Sequence, residues 1–188
     1  MRIVAGKYRG RTLLEFNGDK IRPTADKVRE SLFNILQLKI ANSKFLDLCC
    51  GTGAMGIEAL SRGAKKVVFN DFSRESLTLL KKNLEKIKVD DDYSIVNFDA
   101  VTYLKNTDEK FDIVFIDPPY KSEIGAKCLP FASSVLTDDG IVILEDEKEW
   151  SGEIEGLTQY DKRKYGRVHL TFFKKEKNNE SLCVCWNF

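Results

Sequence analysis

Four consecutive residues, Asp117-Pro118-Pro119-Tyr120, combine a carboxylate, a carbonyl held between proline rings and an aromatic face. A carboxylate and the Pro118 carbonyl can each accept one N–H of an amine. The nitrogen lone pair is then left pointing away from both acceptors. Such a clamp suits an exocyclic amine on a nucleobase, which is a weak nucleophile because its lone pair is delocalised into the ring. Asp117 need not be strongly basic, since attack on a cation acidifies the amine. Most of the acceleration is expected from alignment. Tyr120 offers a flat face on which an unstacked base can rest.

The second chemical stretch is Asp47-Leu-Cys-Cys-Gly51-Thr-Gly53-Ala-Met-Gly56, which places G-x-G-x-x-G after an apolar run and before a helical one. Gly51, Gly53 and Gly56 let the backbone turn tightly and approach a ligand with no Cβ in the way. Asp71 stands 20 positions beyond Gly51, where an acid is expected to accept hydrogen bonds from a ribose. The combination points to a nucleoside-containing cofactor. It does not by itself separate NAD from S-adenosylmethionine. The latter has no pyrophosphate but carries an ammonium and a sulfonium, which acidic neighbours favour. Asp47 supplies one such acid, and Asp99, after a third apolar run, can reach the adenine edge. An NAD enzyme would leave the Asp-Pro-Pro-Tyr stretch unexplained.

Both stretches need strand ends to hold them. Phe111-Asp-Ile-Val-Phe-Ile116 reads as a buried strand, which two prolines without backbone donors must stop. Other strands are expected over residues 44–49, 67–70, 93–98 and 140–144. Helices are expected over 54–62, 74–86, 100–104 and 124–136. Residues 157–165 and 168–174 form a closing strand pair around Gly166. Repeated β-α units predict an α/β fold with a mainly parallel sheet covered on both faces, and the closing hairpin adds an antiparallel edge. His169 falls in that expected edge and is given no role. Ahead of this core, residues 2–5 and 12–16 read as a hairpin around Gly6-Lys-Tyr-Arg-Gly-Arg11. A helix follows, with Thr24 as N-cap and Ala25, Val28, Leu32, Ile35 and Leu36 as its buried stripe.

The chain has 188 residues and a net charge of +1, which one domain can accommodate. That domain is expected over residues 1–175. No run approaches the length of a membrane helix, and no apolar leader stands at the amino terminus. The odd count of five cysteines is a poor disulfide framework and fits reduced thiols in the cytoplasm. Cys183 and Cys185 alone do not make a metal site, and residues 176–188 are left without a role. The charge is unevenly spread: residues 1–40 carry nine Lys or Arg against four acids, and residues 161–175 carry six against one. Two basic zones on a near-neutral chain suggest a polyanion partner. Lys7, Arg9, Arg11, Arg22 and Arg29 are the expected phosphate contacts.

Four segments together carry a family resemblance. They are Arg2-Ile-Val-Ala-Gly-Lys-Tyr-Arg-Gly-Arg11, Arg22-Pro-Thr-Ala-Asp-Lys-Val-Arg-Glu-Ser-Leu-Phe-Asn34, the stretch from Leu46 through the glycine loop to Gly63, and Phe111 to Tyr120. In this order they resemble the RsmD family, bacterial 16S ribosomal RNA guanine-N2 methyltransferases that use S-adenosylmethionine. The two amino-terminal motifs are the specific part; the other two are shared with many amino methyltransferases. The resemblance implies a class I, Rossmann-like methyltransferase fold of seven strands with a reversed last strand. It implies that Asp117 and Tyr120 handle the base, while Gly51, Gly53, Asp71 and Asp99 hold the cofactor. The implied partner is 16S rRNA, within an assembly intermediate of the 30S subunit, and the chain is expected to be a monomer. Two alternatives stay open: adenine-N6 methylation of DNA, and a non-catalytic RNA-binding assembly factor.

Overall fold

Pairing of the apolar runs builds one seven-stranded sheet, and the sheet decides where a ligand can sit. The computed structural model describes residues 1–16, 23–119 and 122–176, the backbone alone for 23–25. In chain order the strands are β1 (Lys44–Asp47), β2 (Lys66–Asn70), β3 (Tyr93–Val96), β4 (Phe111–Ile116), β5 (Leu136–Asp146), β6 (Leu157–Tyr165) and β7 (Val168–Lys175). The helices are α1 (Pro23–Ile35), α2 (Gln37–Ile40), α3 (Ala54–Ser61), α4 (Arg74–Ile87), α5 (Ala100–Asn106) and α6 (Ile124–Ala132). Across the sheet the order is β3-β2-β1-β4-β5-β7-β6. The first five are parallel neighbours, and β7 runs antiparallel to both β5 and β6.

The central strands bury nearly every residue, as a parallel sheet covered on both faces requires. Odd-numbered positions of β1, β2, β4 and β5 (Phe45, Phe69, Phe115, Ile143) join one apolar cluster with α1, α3 and α4. Even-numbered positions (Leu46, Val68, Val114, Leu144) join the other, with α5 and α6. The chain winds outward from β1 through β2 to β3, then returns to place β4 on the opposite side of β1. The carboxyl ends of β1 and β4 therefore flank the switch point, where open α/β sheets bind ligands.

Several expectations need correction. The closing hairpin does add the antiparallel edge, but β7 slots between β5 and β6, so His169 lies on an inner strand, paired with Asp146 and Lys164. The edge falls to β6, whose Lys162, Arg163 and Lys164 discourage further strand pairing. Residues 2–16 do bend back on themselves, but only one isolated bridge forms, Arg2 to Thr12. Helix α1 starts at Pro23, a residue pre-set for a first helical position, rather than at a Thr24 cap. Ile35 is 41% exposed, because the helix ends there and Leu36 takes the buried place. Helix α6 stops at Ala132, and β5 begins already at Leu136, since a short 3-10 turn (Ser133–Val135) takes up the intervening residues.

Candidate active site

The glycine loop is held from both sides. The Asn70 side-chain amide donates to the Leu48 carbonyl at 2.9 Å, and the Cys50 N–H donates to the Asn70 carbonyl at 2.9 Å. Gly53 has φ +81° and caps α3 without a side chain. A Cβ there would stand 2.2 Å from Leu80 Cδ1, so both backbone and space demand glycine. Gly56 has a different reason: its Cβ would meet the Phe69 ring at 2.2 Å, so its absence lets α3 lie against β2.

Asp71 clamps this loop to the end of β2. Its Oδ2 accepts the Gly51 N–H at 2.8 Å and its Oδ1 accepts the Ser73 N–H at 2.8 Å. Each oxygen keeps a further lone pair, which suits the two hydroxyls of a ribose. The Asn97 amide donates to the carbonyls of Asp71 and Phe72 and fixes that turn. Phe72 is 78% exposed and lines the same cleft next to Asp71. Sequence reasoning missed it; an aromatic residue directly after the acid was the available signal. Asp99 lies across the cleft as the N-cap of α5, its carboxylate accepting the Thr102 N–H at 3.0 Å. Hydrogen bonding from the Thr102 side chain first, and from its backbone second, holds the Asp99 pKa below the ordinary carboxylate value.

Four acids line the cleft on one face of the sheet: Asp71, Asp47, Asp117 and Glu145, at the carboxyl ends of the adjacent strands β2, β1, β4 and β5. Asp47 accepts the Gly56 N–H at 2.9 Å, tying the end of β1 to the first turn of α3. Burial pushes its pKa up to about 7, with the charges of Asp117 and Asp71 adding to the rise. Asp117 is likewise pushed up to about 7, first by burial and then by the charge of Asp146. Glu145 is raised well above its ordinary value by burial and by Asp117. None of the four has a cationic side-chain partner among the described residues. Unneutralised acids gathered in one cleft are costly unless a cation or N–H donors arrive. They fit an ammonium and a sulfonium and disfavour a pyrophosphate.

The cleft measures about 1310 Å³, larger than the ~300–1,000 Å³ of a typical small-molecule site. It runs from Gly51, Phe72 and Asp99 at one end to Pro118, Pro119 and Arg167 at the other. Asp117, at the end of β4, lies between these two groups in the strand order. Pro118 is buried and Pro119 exposed. Tyr120 lies outside the described residues, as does Arg22.

The amino-terminal cations behave otherwise. Arg29 is only 3% exposed, which corrects its expected place as an RNA contact. Its guanidinium donates to the Arg2 carbonyl and pairs with Asp26 at 3.0 Å and Glu58 at 3.6 Å. Glu58, fully buried on α3, also accepts from Arg62 Nε at 2.7 Å and from the N–H groups of Val4 at 2.8 Å and Ala5 at 3.0 Å. This carboxylate pins the amino-terminal segment to the domain. Lys7 is paired with Asp90 and Asp91, and Arg11 donates to the Ile87 carbonyl. Arg9 is exposed, with no ion-pair partner among the described residues. In the second basic zone Lys162, Arg163 and Lys175 are likewise paired, with Glu149, Asp161 and Asp138.

A parallel sheet closed by an inserted antiparallel strand, with a glycine loop after β1 and an acid after β2, defines the class I methyltransferase fold. The chain belongs to the family described as Conserved hypothetical protein 95, whose profile matches residues 1–174. It is 36% identical over 154 residues to the Ribosomal RNA small subunit methyltransferase D of Haemophilus influenzae, covering 79% of this chain and 80% of that protein. It is 34% identical to the protein of the same name from Escherichia coli strain K12, covering 96% and 93%. Among solved structures, the Escherichia coli candidate methyltransferase yhhF superposes with TM-score 0.83 at 31% identity, covering 94% of this chain and 98% of that one. A more distant candidate methyltransferase, solved in complex with SAH, shares the fold at TM-score 0.67 and 19% identity. It covers 82% of this chain and 50% of that one.

Proposed function

We propose that this chain is an S-adenosylmethionine-dependent methyltransferase acting on the exocyclic N2 amine of a guanine in 16S rRNA. The observation that carries this reading is one cleft in which Asp117 and Pro118 stand beside the loop clamped by Asp71. Relatives named for small-subunit ribosomal RNA supply the substrate class. S-adenosylmethionine, when bound, offers an activated methyl group on a sulfonium.

The residues divide the work by position. Gly51, Gly53 and Gly56 shape the loop; Asp71 takes the ribose hydroxyls, Phe72 and Asp99 the adenine, and Asp47 the cationic end of the donor. Asp117 and the Pro118 carbonyl each accept one N–H of the target amine and hold its lone pair toward the donor. Alignment carries most of the rate. The amine proton passes to the Asp117 carboxylate, whose pKa near 7 makes it a competent acceptor. Tyr120 follows directly in sequence and is assigned the face on which the extruded base stacks. Arg9 and Arg22 are assigned to phosphate, with Lys7 and Arg11 supporting the segment that carries Arg9. We place the enzyme in the cytoplasm as a monomer, with a 30S assembly intermediate as its substrate. A domain of this size has little surface of its own for holding a long RNA.

Mass spectrometry of 16S RNA from a strain lacking the protein tests the reading. One N2-methylguanine is expected to disappear and to return on complementation. An unchanged N2-methylguanine content with loss of a different methyl mark would refute it.

A further inference from the structure

Glu145 is the acid of the cleft that neither the cofactor nor the amine clamp uses. Strands β4 and β5 are paired in parallel with Ile116 beside Leu144, so Asp117 and Glu145 stand side by side one residue further on. Both lie on the same face and both line the cleft. Across the sheet the acids run Asp71, Asp47, Asp117, Glu145, and the glycine loop lies at the Asp71 end. Glu145 is therefore on the far side of Asp117 from the cofactor, toward the β6–β7 turn that carries Arg167. Its carboxylate has no hydrogen-bond or ion-pair partner among the described residues, although the residue is half-buried.

Two unpartnered carboxylates at the ends of neighbouring strands, whose backbones run about 4.8 Å apart, form when ionised a surface made only of acceptors. The Watson–Crick edges of the bases differ in how they meet it. Guanine alone presents two adjacent donors, the N1–H and the N2 amine. Adenine and cytosine place a ring acceptor beside the amine, and uracil has no amine. A carboxylate against a ring acceptor is repulsive, whereas two N–H donors satisfy both acids. We infer that Glu145 reads the target base, accepting the N1–H of guanine while Asp117 and the Pro118 carbonyl hold N2, and thereby sets guanine over adenine. The inference rests on the function proposed above. The raised proton affinity of Glu145, caused by burial and by Asp117, fits: a pair of N–H donors relieves both penalties.

The test uses the full chain and small-subunit particles from a strain lacking it, carrying either guanine or adenine at the mapped position. Methyl transfer is resolved into kcat and KM, and S-adenosylmethionine binding is measured by calorimetry. Glu145→Ala is expected to lower kcat/KM on guanine about 10–100-fold, the cost of one unmade charge-assisted hydrogen bond, with cofactor affinity unchanged. Glu145→Gln has the same shape and presents both an acceptor and a donor, so the guanine-to-adenine ratio of kcat/KM is expected to fall at least about tenfold. Wild-type rates in Glu145→Ala, an unchanged ratio in Glu145→Gln, or a matching loss of cofactor binding would each overturn the assignment. Absence of guanine methylation by the wild-type protein would instead overturn the proposed function itself, and the two failures are separate readouts.

Discussion

The carboxyl ends of the central strands and the amino-terminal segment are both dense in charge, yet they treat it in opposite ways. In the amino-terminal segment, Arg29, Lys7 and Arg11 are matched to Glu58, Asp90, Asp91 and a backbone carbonyl. In the cleft, Asp117 and Glu145 are left without a cation although burial raises the proton affinity of both. A matched charge has already spent its interaction inside the fold. An unmatched buried one is held in reserve for a ligand. The difference teaches that sign and density of charge in a sequence do not locate a binding surface. What locates it is charge that the fold leaves unpaired.

The largest expected effect tests the unmatched side. Asp117→Ala should reduce methyl transfer about 10²–10⁴-fold while calorimetric S-adenosylmethionine affinity stays close to wild type, because the substitution removes the proton acceptor and not the ribose contacts. The pH profile sharpens the same point. With its pKa raised to about 7, Asp117 is protonated below that pH and cannot accept the amine proton. Activity on small-subunit RNA should therefore rise with pH through about 7, falling roughly tenfold per unit below it. A flat profile between pH 5 and 8 would break the assignment.

The matched side predicts a loss of stability rather than of chemistry. Arg29→Ala removes one cation beside the buried Glu58, which keeps Arg62 and two N–H donors, and should cost about 1–3 kcal/mol in denaturant unfolding. Retention of wild-type stability alongside weakened RNA binding would return Arg29 to the interface. The smallest effect separates two neighbours. Arg9→Ala should lower RNA affinity and make its salt dependence shallower by about one ion, whereas Lys7→Ala should leave that slope unchanged, since Asp90 and Asp91 already neutralise it.

Parts of this architecture were legible residue by residue. The run Phe111–Ile116 has the bounds expected of it, because the paired prolines admit no other end. The glycine loop, Asp47 and Asp71 fall at strand ends because a tight turn and a helix start leave few alternatives. Partners distant in sequence were not legible. Nothing near Lys7 announces Asp90 or Asp91, and nothing near Arg29 announces Glu58. A glutamate within the apolar run Ala-Met-Gly-Ile-Glu-Ala-Leu did hint at a buried ion pair. Glu145 was hidden for a related reason: in sequence it is one of an acidic group with Asp146, Glu147 and Glu149 that reads as a solvated surface. Only the register of β5 on β4 brings it beside Asp117.

The insertion of β7 between β5 and β6 has a consequence for synthesis. Strands β3 through β5 can pair as each leaves the ribosome, since every neighbour has by then been made. Strand β6 cannot join them, because its partner in the sheet is β7, which follows it. The turn at Gly166 and Arg167, one lip of the cleft, is thus set only when the last described strand threads into place. A nascent chain interrupted before residue 168 would carry the glycine loop and Asp117 beside an unfinished wall, so that side of the cleft is completed only once β7 has been made.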